Sequence, residues 1–231
     1  MRFKDVFSII GPSMIGPSSS HTAGAARIGR VARKLAGALP DRADIYLYGS
    51  FAETYRGHGT DVALVAGLLD FATDDERIRD ALSIAEREGL QVRFHPMTQA
   101  LPNVHPNTAK IVMQSGESRL EVIGCSIGGG NIEIVRINEF DIKFSAAYPT
   151  LLIFHEDRTG MIALMTHILQ QYHINIGYMK VERKTRSGEV LTAIEIDDAD
   201  ARAVVPHLRQ LPYVQAVHFI HLAEGEPADE I

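Results

Sequence analysis

The chain has 231 residues, 45% of them hydrophobic and 23% charged, with a formal net charge of −6. That length admits one large domain or two small ones with a real core, and the acidic balance, with no basic block to neutralise phosphates, disfavours nucleic acid as a partner. No run approaches the ~18 apolar residues that cross a bilayer, and the N-terminus lacks a signal-peptide apolar region, so the expectation is a cytoplasmic protein without a membrane partner.

Residues 1–11 read as a short apolar lead-in carrying Val6, Phe7, Ile9 and Ile10. Next comes Ile15-Gly16-Pro17-Ser18-Ser19-Ser20-His21-Thr22-Ala23-Gly24, three hydroxyls and an imidazole between a Gly-Pro turn and an amphipathic run. Ser20 or Thr22 can cap the helix that follows, and a helix N-terminus with spare hydroxyls and N–H groups suits a carboxylate or phosphate. An ordinary capped, serine-rich turn is the alternative. Gly24 and Gly29 thin the helix surface where a ligand or another backbone could approach. From Thr22 to Leu39, Ile28, Val31, Ala32, Leu35 and Leu39 recur at helical spacing, while Arg27, Arg30, Arg33 and Lys34 form a solvated face, with anion binding as the alternative. Pro40-Asp41 ends this helix, and Ile45-Tyr46-Leu47-Tyr48 is a strand closed by Gly49-Ser50.

Tyr55-Arg56-Gly57-His58-Gly59-Thr60-Asp61 precedes the almost wholly apolar stretch Val62 to Phe71. Two glycines around a histidine predict a tight exposed loop, with Thr60 or Asp61 capping a buried helix. His58 is either a turn histidine without chemistry or an accessible imidazole with some. A second amphipathic helix over Asp75 to Glu88 turns Ile78, Leu82 and Ala85 inward, Gly89 stops it, and Gln91 to Phe94 is a strand. Leu101-Pro102-Asn103-Val104-His105-Pro106-Asn107-Thr108 then holds His105 and Asn107 between prolines. Lys110 to Gln114, Ser118 to Ile123 and Asn131 to Ile137 are strands, the first two joined through Ser115-Gly116-Glu117 as a hairpin. The triple glycine Gly128-Gly129-Gly130 serves either as an anion cradle or as a flexible hairpin.

A composition shift at Phe144 to Pro149 separates a domain over residues 1–146 from one over 149–223, with an acidic tail at 224–231. In the second domain, strand Thr150 to Phe154, helix Gly160 to Tyr172, strands Ile174 to Thr185 and Glu189 to Ile196, helix Asp200 to Leu211 and strand Val214 to Leu222 follow in order. Arg186-Ser187-Gly188 joins the middle strands. The pattern is βαββαβ, a ferredoxin-like unit, and the fold class is α+β.

Ten histidines invite a metal, but no His-x-His, His-Glu-x-x-His or paired-cysteine spacing occurs. Nor is there a Gly-x-Ser-x-Gly elbow for a nucleophilic serine. His21, His58 and His105 all fall in loops at element ends, where a general base or an orienting group sits, and an imidazole near its ordinary pKa accepts a proton at neutral pH.

The motifs Gly16-Pro17-Ser18-Ser19-Ser20-His21-Thr22, Gly57-His58-Gly59-Thr60-Asp61 and His105-Pro106-Asn107, in this order and spacing, resemble the β chain of bacterial iron–sulfur-dependent L-serine dehydratase. The C-terminal unit, with Asp157-Arg158-Thr159-Gly160-Met161 after its first strand and Ile174-Asn175-Ile176 after its first helix, is similar to an ACT domain. The N-terminal portion resembles the allosteric-substrate-binding domain also found in some phosphoglycerate dehydrogenases. The resemblance implies a lyase that deaminates L-serine to pyruvate and ammonia with a [4Fe-4S] cluster, in a step that feeds gluconeogenesis. It implies His58 as the base and His21 as its assistant. Ser18, Ser19, Ser20, His105 and Asn107 are implied as substrate-binding residues, and Asp157, Arg158, Thr159, Gly160 and Met161 as an ACT ligand loop. Cys125 is the only cysteine, and a [4Fe-4S] cluster is held by cysteine thiolates, so the resemblance further implies a separate α subunit carrying the cluster, with no metal on this chain. Self-association through the ACT domain is a further expectation. The alternative is a purely regulatory module that senses an amino acid and supplies no catalytic group.

Overall fold

The structure is a computed structural model and describes residues 13–99, 101–102, 104–185, 188–197 and 201–222. The expected lead-in, the Arg186-Ser187 turn, Asp200 and the acidic tail lie outside the described residues. The fold is mixed α and β with two sheets, and the chain divides into two compact units between Ile134 and Val135.

In the first unit a five-residue π-turn over Ser19–Ala23 leads into α1, Gly24–Ala36. Ile28, Val31, Ala32 and Leu35 form the buried stripe that the spacing predicts. The helix stops at Gly37, whose φ of 76° ends it before Pro40. The opposite stripe departs from expectation. Arg30 is 4% exposed, and its Nε lies 3.0 Å from Asp70 Oδ1, while Lys34 Nζ reaches Oδ2 of the same carboxylate at 3.3 Å. Helix α3 covers this face of α1, so the cations there are paired and desolvated instead of solvated.

Strand β1 (Arg42–Tyr48) is followed by two helices, α2 (Ser50–Thr54) and α3 (Thr60–Leu68). Neither Thr60 nor Asp61 caps α3. Gly59, in the left-handed region at φ 69°, takes that position, and Asp61 accepts from the N–H of Val62. The expected helix over Asp75 to Glu88 is a 3-10 turn, Glu76–Asp80, continued by α4, Ala81–Arg87. The tighter first turn rotates the apolar positions, so Ile78 and Ala85 are buried but Leu82 is exposed. Strands β2 (Gln91–Pro96), β3 (Thr108–Ser115), β4 (Ser118–Gly128) and β5 (Asn131–Ile137) complete a sheet of order β2-β1-β3-β4-β5. β1 and β2 are parallel, as their helical crossover requires, and β1–β3 and β3–β4 are antiparallel. Ser115 pairs with Ser118, leaving Gly116 and Glu117 as the hairpin turn.

One contact governs how the first unit is assembled. A Cβ placed on Gly67 of α3 would lie 2.1 Å from the Ala26 carbonyl oxygen and 2.7 Å from the Gly29 Cα of α1. A Cβ on Gly29 would lie 2.3 Å from the Leu64 carbonyl oxygen. The two backbones are in contact because both crossing positions are glycine, and this sets how closely α1 and α3 cross.

The second unit carries β6 (Thr150–Glu156), α5 (Met161–Gln171), β7 (Ile176–Arg183), β8 (Glu189–Ile196), α6 (Val205–Arg209) and β9 (Val214–Ile220). The sheet order is β7-β8-β6-β9, antiparallel throughout, which is the predicted βαββαβ arrangement. Leu151, Ile153, Met165, Leu169, Ile194 and Val217 are among its core residues. The expected helix over Asp200 to Leu211 is shorter: a 3-10 turn over Ala201–Val204 precedes α6, and Pro206, with no N–H, falls in the first turn of α6.

Candidate functional site

Three of the polar loops singled out in the sequence meet at one end of the first sheet, where β1 and β4 finish and β3 begins. Ser18 opens the π-turn with its side chain accepting from the His21 N–H at 3.2 Å, and Gly24 N–H reaches back to the Ser19 carbonyl. π-turns interrupting helices recur at functional sites because the extra residue re-aims a side chain. Here that side chain is His21. Its Nδ1 lies 3.4 Å from Ser18 Oγ and its Nε2 lies 3.1 Å from Ser50 Oγ at the start of α2. The ring packs edge-on against Phe51 at 5.3 Å and against His58 at 4.8 Å between centroids. Burial, and then the neighbouring His58, push the His21 pKa below the ordinary imidazole value, and a hydrogen bond to the Ser50 backbone works in the opposite direction.

His58 sits on the turn between α2 and α3, exposed, with its N–H donating to the Thr54 carbonyl at 3.0 Å. Its own carbonyl accepts from Thr22 Oγ1 at 3.5 Å, which ties this turn to the opening stretch. Thr22 is in turn packed on Gly16, where φ is 128° and a Cβ would lie 2.4 Å from Thr22 Cγ2. Ser19 and Ser20 are half-buried in the π-turn.

The third loop arrives through a backbone contact. Gly49, with φ 54°, leaves room for Pro106: a Cβ there would lie 2.6 Å from the Pro106 carbonyl oxygen. His105 is exposed and uses Nδ1 to accept from the Asn107 N–H at 3.1 Å, so the imidazole shapes its own loop. The Asn107 carbonyl accepts from the Ser126 N–H at 2.9 Å. The link from this loop to the histidine pair runs through Pro106, Gly49 and Ser50.

Two residues of this region were not singled out from the sequence. Ser50 was legible only as the closing residue of a strand, although a Gly-Ser immediately after β1 and before Phe51 stands where a strand end presents a side chain. Ser126 carried no signal. It is fully buried on β4, its Oγ has no hydrogen-bond partner, and a Cβ on Gly24 would lie 2.1 Å from that oxygen.

The triple glycine forms the β4–β5 hairpin, all three residues having positive φ, and the Gly130 carbonyl accepts from Arg27. Cys125 is buried, with Sγ 3.1 Å from Thr108 Oγ1. Among the described residues no group of three or more His, Cys, Asp or Glu side chains is arranged to hold a metal ion.

In the second unit, Asp157, Arg158, Thr159, Gly160 and Met161 line a cavity of about 590 Å³ together with His155 and Arg183. Gly160, at φ 90°, starts α5. Asp157 Oδ1 faces Arg183 Nη2 at 3.4 Å. Arg158 is held by Glu156 Oε2 at 2.9 Å and lies over the Tyr213 ring.

Comparison with known proteins bears on both regions. The family described as serine dehydratase beta chain matches residues 3–136. The chain is 50% identical over 214 residues to the probable L-serine dehydratase beta chain of Bacillus subtilis (strain 168), covering 93% of this chain and 96% of that one. It is 40% identical over 193 residues to the L-serine dehydratase beta chain of Peptoniphilus asaccharolyticus, covering 83% and 86% respectively. Against the L-serine dehydratase TdcG of Escherichia coli (strain K12) it is 33% identical over 153 residues, which are 55% of this chain and 32% of that protein.

Proposed function

The chain belongs to the serine dehydratase beta chain family, and from that premise we propose that it is the β subunit of an L-serine dehydratase working with an iron–sulfur-bearing α subunit. The observation that carries this reading is the meeting of His21 and His58, 4.8 Å apart, at a sheet end where a third polar loop also arrives. The TdcG match supports the two-chain arrangement. There the matched region is 32% of a longer L-serine dehydratase, and the remainder has no counterpart in this match. Because the described residues offer no donor set for a cluster, the cluster is assigned to the α subunit.

The reaction removes the serine Cα proton and the β-hydroxyl as water; the enamine left behind tautomerises to an imine, and water releases ammonia and pyruvate. His58 is the base for the Cα proton. It is exposed, flanked by glycines and free to approach a substrate held across an interface. His21, with both ring nitrogens close to hydroxyls, orients and does not abstract. The substrate carboxylate falls to Ser18, Ser19, Ser20 and the backbone at the start of the π-turn, with His105 and Asn107 closing the site from the loop against Gly49.

We assign residues 1–146 to the allosteric-substrate-binding-like domain and 149–223 to a ferredoxin-like ACT domain that binds an amino acid at the Asp157–Met161 loop and pairs with a second copy. The 590 Å³ cavity at that loop supports the ligand role. A cytoplasmic location and a supply of pyruvate to gluconeogenesis complete the reading.

The test is His58→Ala in the assembled two-chain enzyme. Turnover is expected to fall by about 10²–10⁴-fold. Subunit assembly and melting are expected to hold, since an exposed turn side chain contributes within about 0.5 kcal/mol. Unchanged turnover with altered serine activation would instead support a purely regulatory module.

A further inference from the structure

Ser50 touches both parts of the candidate site that the sequence motifs leave unconnected. Its Oγ lies 3.1 Å from His21 Nε2, and the residue before it, Gly49, carries the backbone contact with Pro106. Its position is itself fixed: the Ser50 carbonyl accepts from Thr54 Oγ1 at 2.8 Å, and the side chain stands where β1 ends and α2 begins. On the far side of the imidazole, Ser18 Oγ already accepts the His21 backbone N–H, so its hydroxyl proton is available to Nδ1 at 3.4 Å. A neutral imidazole that accepts at Nδ1 must carry its proton on Nε2. That proton then points at Ser50.

We propose that Ser50 is a positioning residue that holds His21 in the Nε2–H tautomer and keeps its ring edge-on to His58, in the site read above as the serine dehydratase half-site. Two observations converge on this. The two hydroxyls bracket the ring from opposite sides, so either one alone leaves it free to flip. Its ring neighbours among the described residues are Phe51, which offers only an apolar ring, and His58, the titratable group that faces His21. Ser50 therefore decides which nitrogen of His21 carries the proton and how its ring is turned toward His58. A polar neighbour of this kind sets the competence of the histidine it orients without touching substrate.

The experiment uses the full chain labelled with ¹⁵N and reads the ring nitrogens of His21 by two-dimensional imidazole NMR. The wild type is expected to show the Nε2–H tautomer, Ser50→Ala a mixture of both tautomers, and Ser50→Thr, which keeps a hydroxyl, the wild-type pattern. A melting curve on each variant confirms that the comparison is between folded chains. Unchanged His21 ring signals in folded Ser50→Ala would overturn the proposal. In the two-chain enzyme Ser50→Ala should lower kcat by about tenfold, the worth of one hydrogen bond, with KM little changed. A fall in kcat that Ser50→Thr does not rescue would likewise overturn it. If the tautomer follows Ser50 while the wild-type complex shows no serine dehydratase activity, the positioning role stands and the proposed function falls.

Discussion

His155 is 3% exposed in β6, with Nδ1 2.8 Å from the Glu156 carbonyl oxygen and Nε2 2.9 Å from Thr192 Oγ1. Desolvation holds its pKa below the ordinary imidazole value, against smaller upward contributions from the Glu156 carbonyl and Asp157. The unfolded chain therefore binds this proton more tightly than the folded one. The stability involved is present in full above about pH 6.5 and is lost as pH falls through the depressed folded value. Melting temperature is expected to drop between pH 7.5 and 5, and the drop to be shallower in His155→Gln. It should not vanish, because burial depresses His218 and His21 in the same direction. A pH slope identical in the variant would remove His155 from the account. Asp70 shows the other kind of buried charge. It accepts both Arg30 and Lys34 from α1, and Asp70→Ala, which takes the carboxylate away from the buried Arg30 guanidinium, is expected to cost about 3–5 kcal/mol in urea denaturation.

The α1–α3 pair is what turns separate motifs into a site. His21 is presented just before α1 and His58 just before α3, so their separation depends on how closely those helices cross. At Gly29 and Gly67 the crossing leaves no room for a methyl group. Gly67→Ala is expected to cost about 1–3 kcal/mol by forcing the helices apart, and helix propensity, which favours alanine, recovers only part of that. Because the N-termini move with the helices, this variant should lose stability and turnover together, whereas His58→Ala should lose turnover alone. Equilibrium denaturation alongside steady-state kinetics separates the two patterns.

For the molecule as a whole, the expectation concerns what it lacks. One cysteine, buried against Thr108, supplies no thiolate set, and the match to TdcG covers 32% of that longer protein. Expressed without its partner, the chain is expected to show no serine dehydratase activity; expressed with a cysteine-bearing partner chain, it should co-purify with brown iron–sulfur absorbance and turn over serine. Substantial activity from this chain alone would overturn the half-site reading.

Local spacing along the chain was enough to read the apolar stripes of α1 and α5, the strands of both sheets, the βαββαβ order and the loops bearing His21, His58 and His105. Each of those depends on residues a few positions apart, where periodicity and turn chemistry act directly. What spacing could not reveal depends on partners distant in sequence. Arg30 reads as solvated until Asp70, 40 residues on, folds back over it. Leu82 reads as inward until the 3-10 turn before it shifts the helical phase. Ser50 reads as the end of a strand, and becomes a hydrogen-bonding neighbour of His21, 29 residues earlier, only once β1 is placed beside the opening stretch. The chemistry on offer was written in residue types; which of those residues meet was settled by close packing, because a glycine's missing side chain has consequences only once another backbone occupies the space.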